Sequence, residues 1–156
     1  MNDALVVETA DVRSAEVGAL LAAYFAEIRA AFGFDPAHVS ASEPEEFDAP
    51  RGRFLLARTG ETPAGCAGVR LLDPQTAEIK RMWVNPALRG RGVGRTLLGA
   101  LESAAIELGA RRGVLDTNGA LSGALALYRS AGWTEVPAYN DNPDATHWFA
   151  KNLDRS

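Results

Sequence analysis

The sequence predicts one α/β domain built on a mixed, mostly antiparallel sheet. Three observations carry that expectation. Apolar residues alternate between the three- and four-residue spacing of helices and the short β-branched runs of strands. Strand candidates at residues 53–58, 64–72 and 77–84 follow one another across short turns, which favours an antiparallel meander. A strand, a glycine-rich turn and a long amphipathic helix then occupy residues 77–109.

Taken in order, residues 5–9 read as an opening strand. Residues 11–32 form a helix, with Val17, Leu20, Leu21, Tyr24, Phe25 and Ile28 on its apolar stripe and Gly33 ending it. Residues 35–52 are irregular: Pro36, Pro44 and Pro50 interrupt an acidic cluster of Glu43, Glu45, Glu46 and Asp48, and a short helix and a loop are expected. The three meander strands turn at residues 60–63 and 73–76, and Asn85-Pro86 stops the third because proline lacks the next ladder donor. A long helix starts near Gly92, with Val93, Leu97, Leu101, Ala104 and Leu108 on one face. Residues 112–117 are a strand, residues 120–131 a helix carrying Leu121, Leu125 and Tyr128 on one side, and residues 133–139 and 145–153 two final strands.

Composition narrows the function. With 156 residues the chain suits a single domain over 1–156 that buries a core without staples. It is 47% hydrophobic and 23% charged, which excludes intrinsic disorder. Sixteen basic against 20 acidic residues leave a net charge of −4, which argues against whole-surface attraction to nucleic acid or an anionic membrane. The lone cysteine, Cys66, forms no internal disulfide or thiolate cage and reads as a small apolar strand residue; no His/Cys/carboxylate spacing suggests a metal. The first eight residues lack a basic signal-peptide start, and the longest apolar run is about half a membrane span. The expectation is a cytoplasmic protein.

The most informative segment is Arg89-Gly90-Arg91-Gly92-Val93-Gly94. Glycines between a strand and a helix let the backbone turn tightly and aim several N–H groups at one spot, where the helix dipole adds positive potential. Arg89, Arg91 and Arg95 stand nearby, so the segment reads either as a phosphate site or as a plain turn. A Walker A loop would need glycine at position 89 and lysine at 95, and both are arginine. A G-x-G-x-x-G fingerprint would need glycine at 95 and fails likewise.

Arg89, Gly92 and Gly94 do occupy the fixed positions of the acetyl-CoA-binding signature [RQ]-x-x-G-x-[GA]. With Ala77-Glu78-Ile79-Lys80-Arg81-Met82-Trp83-Val84-Asn85-Pro86 before it, and Leu115-Asp116-Thr117-Asn118 and Ala126-Leu127-Tyr128-Arg129-Ser130-Ala131-Gly132-Trp133 after it, the chain resembles the GCN5-related N-acetyltransferase (GNAT) superfamily. The resemblance spans about residues 5–153 and is most specific over 77–133.

The resemblance implies a sheet splayed between its fourth and fifth strands, flanked by helices, with acetyl-CoA as co-substrate and no metal. It implies that the backbone of Met82, Trp83 and Val84 holds the pantetheine arm, and that N–H groups of Arg89, Gly90, Arg91, Gly92, Val93, Gly94 and Arg95 wrap the pyrophosphate. Asn118, Leu125 and Tyr128 would lie along the other side. The implied activity is direct acetyl transfer, in a ternary complex, to a primary amine of a small molecule or peptide; the alternative is a non-catalytic CoA-binding module. Tyr128 matches the family's general acid, although its spacing also suits a plain apolar face. Glu78 matches a general base used in one branch, although it also reads as a strand charge bridged to Lys80 or Arg81. Strand alternation puts Glu78 on one face with Lys80, Met82 and Val84. A backbone N–H near Val84 is the family's usual oxyanion donor. His38 and His147 are isolated, the acidic run at 43–48 reads as a solvated loop or as an attractor for a cationic amine, and residues 139–143 are expected beside the acceptor pocket. Homodimers occur in the superfamily; nothing in the residues points to one here.

Overall fold

Among the described residues seven strands lie in one sheet, ordered first, second, third, fourth, fifth, seventh, sixth by their place in the chain, with a helix on one face and two on the other. The structure, a computed structural model, describes residues 4–33, 44–121 and 123–153. The strands are β1 (Leu5–Ala10), β2 (Gly52–Thr59), β3 (Thr62–Asp73), β4 (Thr76–Val84), β5 (Arg112–Thr117), β6 (Thr134–Val136) and β7 (His147–Asn152). The helices are α1 (Ala15–Phe32), α2 (Val93–Glu107) and α3 (Ala124–Ser130), with 3-10 turns at Pro44–Phe47 and Pro86–Leu88. Every neighbouring pair is antiparallel except β4 and β5, which run parallel. The α/β class, the meander and the mixed sheet are as the sequence predicts.

Local chemistry explains where the boundaries moved. Ser14 caps α1, its hydroxyl accepting from the Val17 N–H at 3.2 Å, so residues 11–14 form a turn rather than the helix's first turn. Gly33, at φ 63°, closes α1 with an N–H to the Arg29 carbonyl. Helix α3 starts four residues later than the apolar spacing predicts. Asn118 holds residues 118–121 in a turn through its side-chain oxygen and the Ala120 N–H, and Gly123 sits at φ 88°. Strand β6 stops at Val136, where Pro137 removes the next donor.

Two apolar clusters flank the sheet. Leu97, Leu98 and Leu101 of α2 pack on Leu55, Ala67, Val69 and Ile79. Val17 and Leu20 of α1 pack on Phe54, Leu56, Cys66 and Trp83 of the opposite face, with Phe47. A fully buried leucine of this kind contributes about 1.5–3 kcal/mol. Among the described residues, no helix is long and apolar enough to cross a membrane.

The strand that matters most for function is β4. Its ladder to β3 pairs Gly68 with Lys80 and Cys66 with Trp83, so two residues of β3 face three of β4. The extra residue is a β-bulge at Arg81, whose φ of 58° makes it a left-handed non-glycine residue. A bulge bends its strand and increases the local twist. Pairing with β5 runs from Thr76↔Arg112 to Ile79↔Leu115 and goes no further, although both strands continue. The sheet opens there into a gap.

Candidate active site

A cavity of about 620 Å³ occupies that gap. On the α2 side its wall is Met82, Val84, Gly90, the start of α2 and Leu127 and Tyr128 of α3. On the α1 side it is Tyr24, Phe25, Ile28, Arg81 and Trp83. The β5 side contributes Leu115, Asp116, Thr117 and Asn118, and the loop before β7 adds Asn142, Asp144 and Ala145. The cavity therefore passes through the sheet and meets both layers. Beyond Ile79, the edge of β4 facing the gap has no strand partner in β5.

The glycine-rich loop is held from several directions. The Asn85 side chain accepts from the Ala87 N–H at 3.0 Å and donates to the Pro63 carbonyl at 3.3 Å. Arg89 donates to the Val84 carbonyl at 3.1 Å and grips both oxygens of Glu27 at 2.6 and 2.8 Å, which ties the loop to α1. Gly90 and Gly92 both stand at φ 82°, a conformation that would strain any side chain. Gly92 is the N-cap of α2 and offers no side-chain bond, and the first turn carries no acid. The N–H groups of Val93, Gly94 and Arg95 thus lack intrahelical acceptors and meet the positive end of the helix dipole. Gly94 also lies close to α3: a Cβ there would stand 3.1 Å from Leu127 Cδ2. Such an uncapped helix start has the geometry and potential that suit an anion.

Tyr128 is 7% exposed, its ring 5.7 Å from that of Phe149 and its hydroxyl 3.9 Å from the Met82 sulfur. Burial, reinforced by nearby Tyr24 and Asp116, raises the phenol well above its usual range. It is a proton donor at neutral and mildly alkaline pH. Tyr24, across the cavity, is likewise pushed up to about 12 by burial.

Glu78 does not join this group. It is 1% exposed, and its carboxylate is fully engaged: Oε1 accepts from Arg70 at 2.8 and 3.0 Å, and Oε2 accepts from the Tyr139 hydroxyl at 2.5 Å. The expectation that Glu78 shares a face with Met82 and Val84 is overturned. The bulge at Arg81 inverts the alternation, so Ala77 and Ile79 pack with Met82 and Val84 toward α2, while Glu78 falls on the α1 face opposite Arg70. Its partner is Arg70, not Lys80 or Arg81.

The other sequence candidates divide cleanly. Met82, Trp83, Val84, Arg89, Gly90, Gly92, Val93, Gly94, Arg95, Asn118 and Tyr128 line the cavity; Arg91 and Leu125 do not. Arg95 donates to the Ser130 hydroxyl at 2.7 Å, and Leu125 packs against the α2-side core. Asn118 uses its amide on the Asp144 carbonyl, at 2.8 Å, and its oxygen on the Ala120 N–H. Of residues 139–143, Tyr139 turns to Glu78 and Asn142 reaches the cavity. His147 bonds Thr146, and His38 and Glu43 lie outside the described residues. The acidic run is mixed: Glu45 and Asp48 are exposed, Asp48 binding Arg13 through both oxygens, while Glu46 turns inward and pairs with Arg70. Cys66 is buried and its thiol is pushed up to about 12 by desolvation. No group of three metal-binding side chains occurs among the described residues.

Sequence reasoning missed Asp116. It sits one residue past the last β4–β5 pair, lines the cavity, and accepts from the Asn140 amide at 2.7 Å through Oδ2. A carboxylate near the carboxyl end of a strand that lines a gap is the signal that would have found it.

Comparison with known proteins agrees with this geometry. Residues 20–133 match the model of the acetyltransferase (GNAT) family. The chain is 36% identical over 87 residues to an IAA acetyltransferase of Azospirillum brasilense, a match covering 55% of this chain and 57% of that protein. It is 37% identical over 138 residues to the N-alpha-acetyltransferase RimI of Mycobacterium tuberculosis, covering 82% of this chain and 84% of that one. A Bacillus subtilis acetyltransferase solved in complex with CoA superposes with a TM-score of 0.66, at 20% identity, over 94% of this chain and 96% of its own.

Proposed function

We propose a function for this chain from one premise: it belongs to the acetyltransferase (GNAT) family. Within that family it moves an acetyl group from acetyl-CoA directly to an amine of a small molecule or peptide, in a ternary complex. One observation carries the reading. The uncapped start of α2, the unpaired edge of β4 and the protonated Tyr128 hydroxyl all face one through-sheet cavity.

The residues present suit acetyl-CoA. The first-turn N–H groups of α2, with no acid among them, would take the pyrophosphate, and Arg95 adds a cation at the same end. The open edge of Met82, Trp83 and Val84 would pair with the amide-bearing pantetheine arm. When bound, the co-substrate supplies an activated acyl group. The chain's own residues do the rest. A backbone N–H near Val84 donates to the carbonyl oxygen as it becomes negative. Tyr128 donates its proton to the departing sulfur; free thiols ionise near a pKa of about 8.5, so this donation helps moderately.

The amine must be neutral to attack, so a base must face the cavity. Of the lining carboxylates Glu27, Asp116 and Asp144, Glu27 is bound by Arg89, and Asp116, with Oδ2 oriented by Asn140, is the candidate base. Glu78, with both oxygens engaged, is an anchor that fixes β4 to β3 and to the loop carrying Tyr139. The free thiol of Cys66 suits a reducing compartment, and the cytoplasm is the proposed location. In this reading residues 1–156 make one catalytic domain.

The test pairs an acetyl-CoA titration with a thiol-release screen across amino acids, polyamines, aminoglycosides and peptides. Saturable acetyl-CoA binding and amine-dependent thiol release are expected. Binding with no release from any amine would favour the CoA-binding module, and no binding would remove both readings.

A further inference from the structure

Arg81 and Lys80 are cations of the cavity lining that the acetyl-transfer chemistry does not use, and Arg81 is the one held between two aromatic rings. It is the described non-glycine residue with a left-handed backbone, and strain of that kind persists where the surroundings over-determine it. The bulge aims its side chain into the α1 side of the cavity, where the guanidinium carbon lies 5.8 Å from the Phe25 ring and 5.7 Å from the Phe47 ring. Two aromatic faces favour a cation but supply no hydrogen-bond acceptor. Among the described residues no carboxylate lies within 4.0 Å of it, whereas neighbouring Arg70 has two. Glu46, ion-paired to Arg70, acts on Arg81 only through space, so this half-buried guanidinium has no directly bonded carboxylate among the described residues, a costly arrangement. Desolvation lowers its pKa from the usual arginine value, and it stays charged at neutral pH.

Its position relative to the reacting centre is informative. Arg81 immediately precedes Met82, whose sulfur marks the Tyr128 hydroxyl, but it emerges on the opposite face of β4. Across the gap stands Asp116. The cavity therefore has a cation on its β4 wall and a carboxylate on its β5 wall.

We propose that Arg81 binds a carboxylate of the acceptor, so that the substrate is a small amino acid whose amine points to Asp116 and whose carboxylate forks onto the guanidinium. This rests on the acetyltransferase reading above and deepens it by naming the acceptor class. The carboxylate gives the guanidinium the direct ion-pair partner that no described residue supplies, within the same cavity that Asp116 lines. Arginine rather than lysine suits the task, because its planar fork holds a carboxylate by two parallel bonds.

The experiment compares amino acids (the L-α series, β-alanine and γ-aminobutyrate) with their amides, in the wild type and in Arg81→Met and Arg81→Lys. Thiol release is followed with acetyl-CoA, and binding of the same pairs to CoA-saturated protein is measured by calorimetry. The expected result is at least one acid preferred over its amide by roughly 10- to 100-fold in kcat/KM, the range of a charge-assisted hydrogen bond. Arg81→Met should abolish that preference, chiefly through the KM of the acid, with the acetyl-CoA Kd unchanged; Arg81→Lys should restore part of it. The unchanged acetyl-CoA Kd reports that the variants are folded. Equal use of acids and amides, or a preference that survives in Arg81→Met, overturns the inference. If no amine releases thiol, the transfer reading fails separately. Calorimetry then decides: acid binding lost in Arg81→Met sustains the carboxylate site, and no acid binding ends it.

Discussion

Tyr139 donates its hydroxyl to Glu78 across 2.5 Å, from a loop 61 residues further along the chain. Arg70 holds the other oxygen, so the carboxylate is bound on both sides in a nearly dry site. The pair locks the β6–β7 connection onto β4, just short of the bulge.

Glu78→Gln should therefore act on stability before it acts on chemistry. Arg70 keeps Glu46 as a partner, so the loss should be about 1–3 kcal/mol, the range for a buried hydrogen-bonding group deprived of its charged acceptor, and below that of an uncompensated buried charge. Chemical denaturation should show that loss, while kcat of the folded variant stays within a few-fold of wild type. Asp116→Asn should do the reverse, lowering kcat/KM by roughly 100-fold or more, the usual range for a general base. A Glu78→Gln variant that folds normally and turns over no acceptor would return the base role to Glu78.

Tyr128→Phe should lower kcat by about 10- to 100-fold and leave the acetyl-CoA Kd nearly unchanged. The pH dependence has a definite sign. Burial raises this phenol above its ordinary value, so its protonated, donating form persists past a pH of about 10, where a free tyrosine is half ionised. The kcat profile should then show no fall on its alkaline side up to that pH. A fall centred nearer 8 would assign the acid role to another group.

The glycine loop should respond more to its backbone than to its arginine. Arg89 already pairs with Glu27 at a half-exposed position, so Arg89→Ala should weaken acetyl-CoA by less than about fivefold, the scale of a surface ion pair. Gly92→Asp places a side chain at φ 82° and a negative charge at the start of α2. It should weaken acetyl-CoA by roughly 10- to 100-fold. Titration of both variants by calorimetry checks the ranking, and a reversed order would mean that the guanidinium binds the phosphates.

Cys66 bears on the thiol-release assay itself. Its pKa, pushed up to about 12 by burial, leaves almost no thiolate at pH 8. Native protein should show no reactive thiol to a disulfide reagent at that pH and one after unfolding in denaturant. A reactive thiol in the native state would contradict the burial of β3's inner face.

Much of the fold was legible because each element carries its own punctuation: Gly33 after α1, Pro86 after β4, short polar turns between β2, β3 and β4. The loop proposed to hold the cofactor is legible for the same reason, since Arg89, Gly92 and Gly94 fall within one stretch of six residues. What could not be read depends on pairing across distance. The partners of Glu46 and Asp48, Arg70 and Arg13, lie 24 and 35 residues away, and nothing local in the acidic run tells the inward Glu46 from the exposed Asp48. Glu78 was placed with Met82 by counting in twos, and arginine at position 81 gives no hint of a left-handed turn.

The extra residue in β4 also sets what a shorter chain would do. Delete Arg81, and Ile79, Lys80, Met82, Trp83 and Val84 fall into strict alternation on the faces they already occupy. Nothing in the core would need to move, and the ladder to β5 could zip closed past Ile79. The result would be a tighter, more regular protein with nowhere to put a substrate. Whether this sheet is an enzyme or an inert wall comes down to counting: three residues along β4 where β3 uses two.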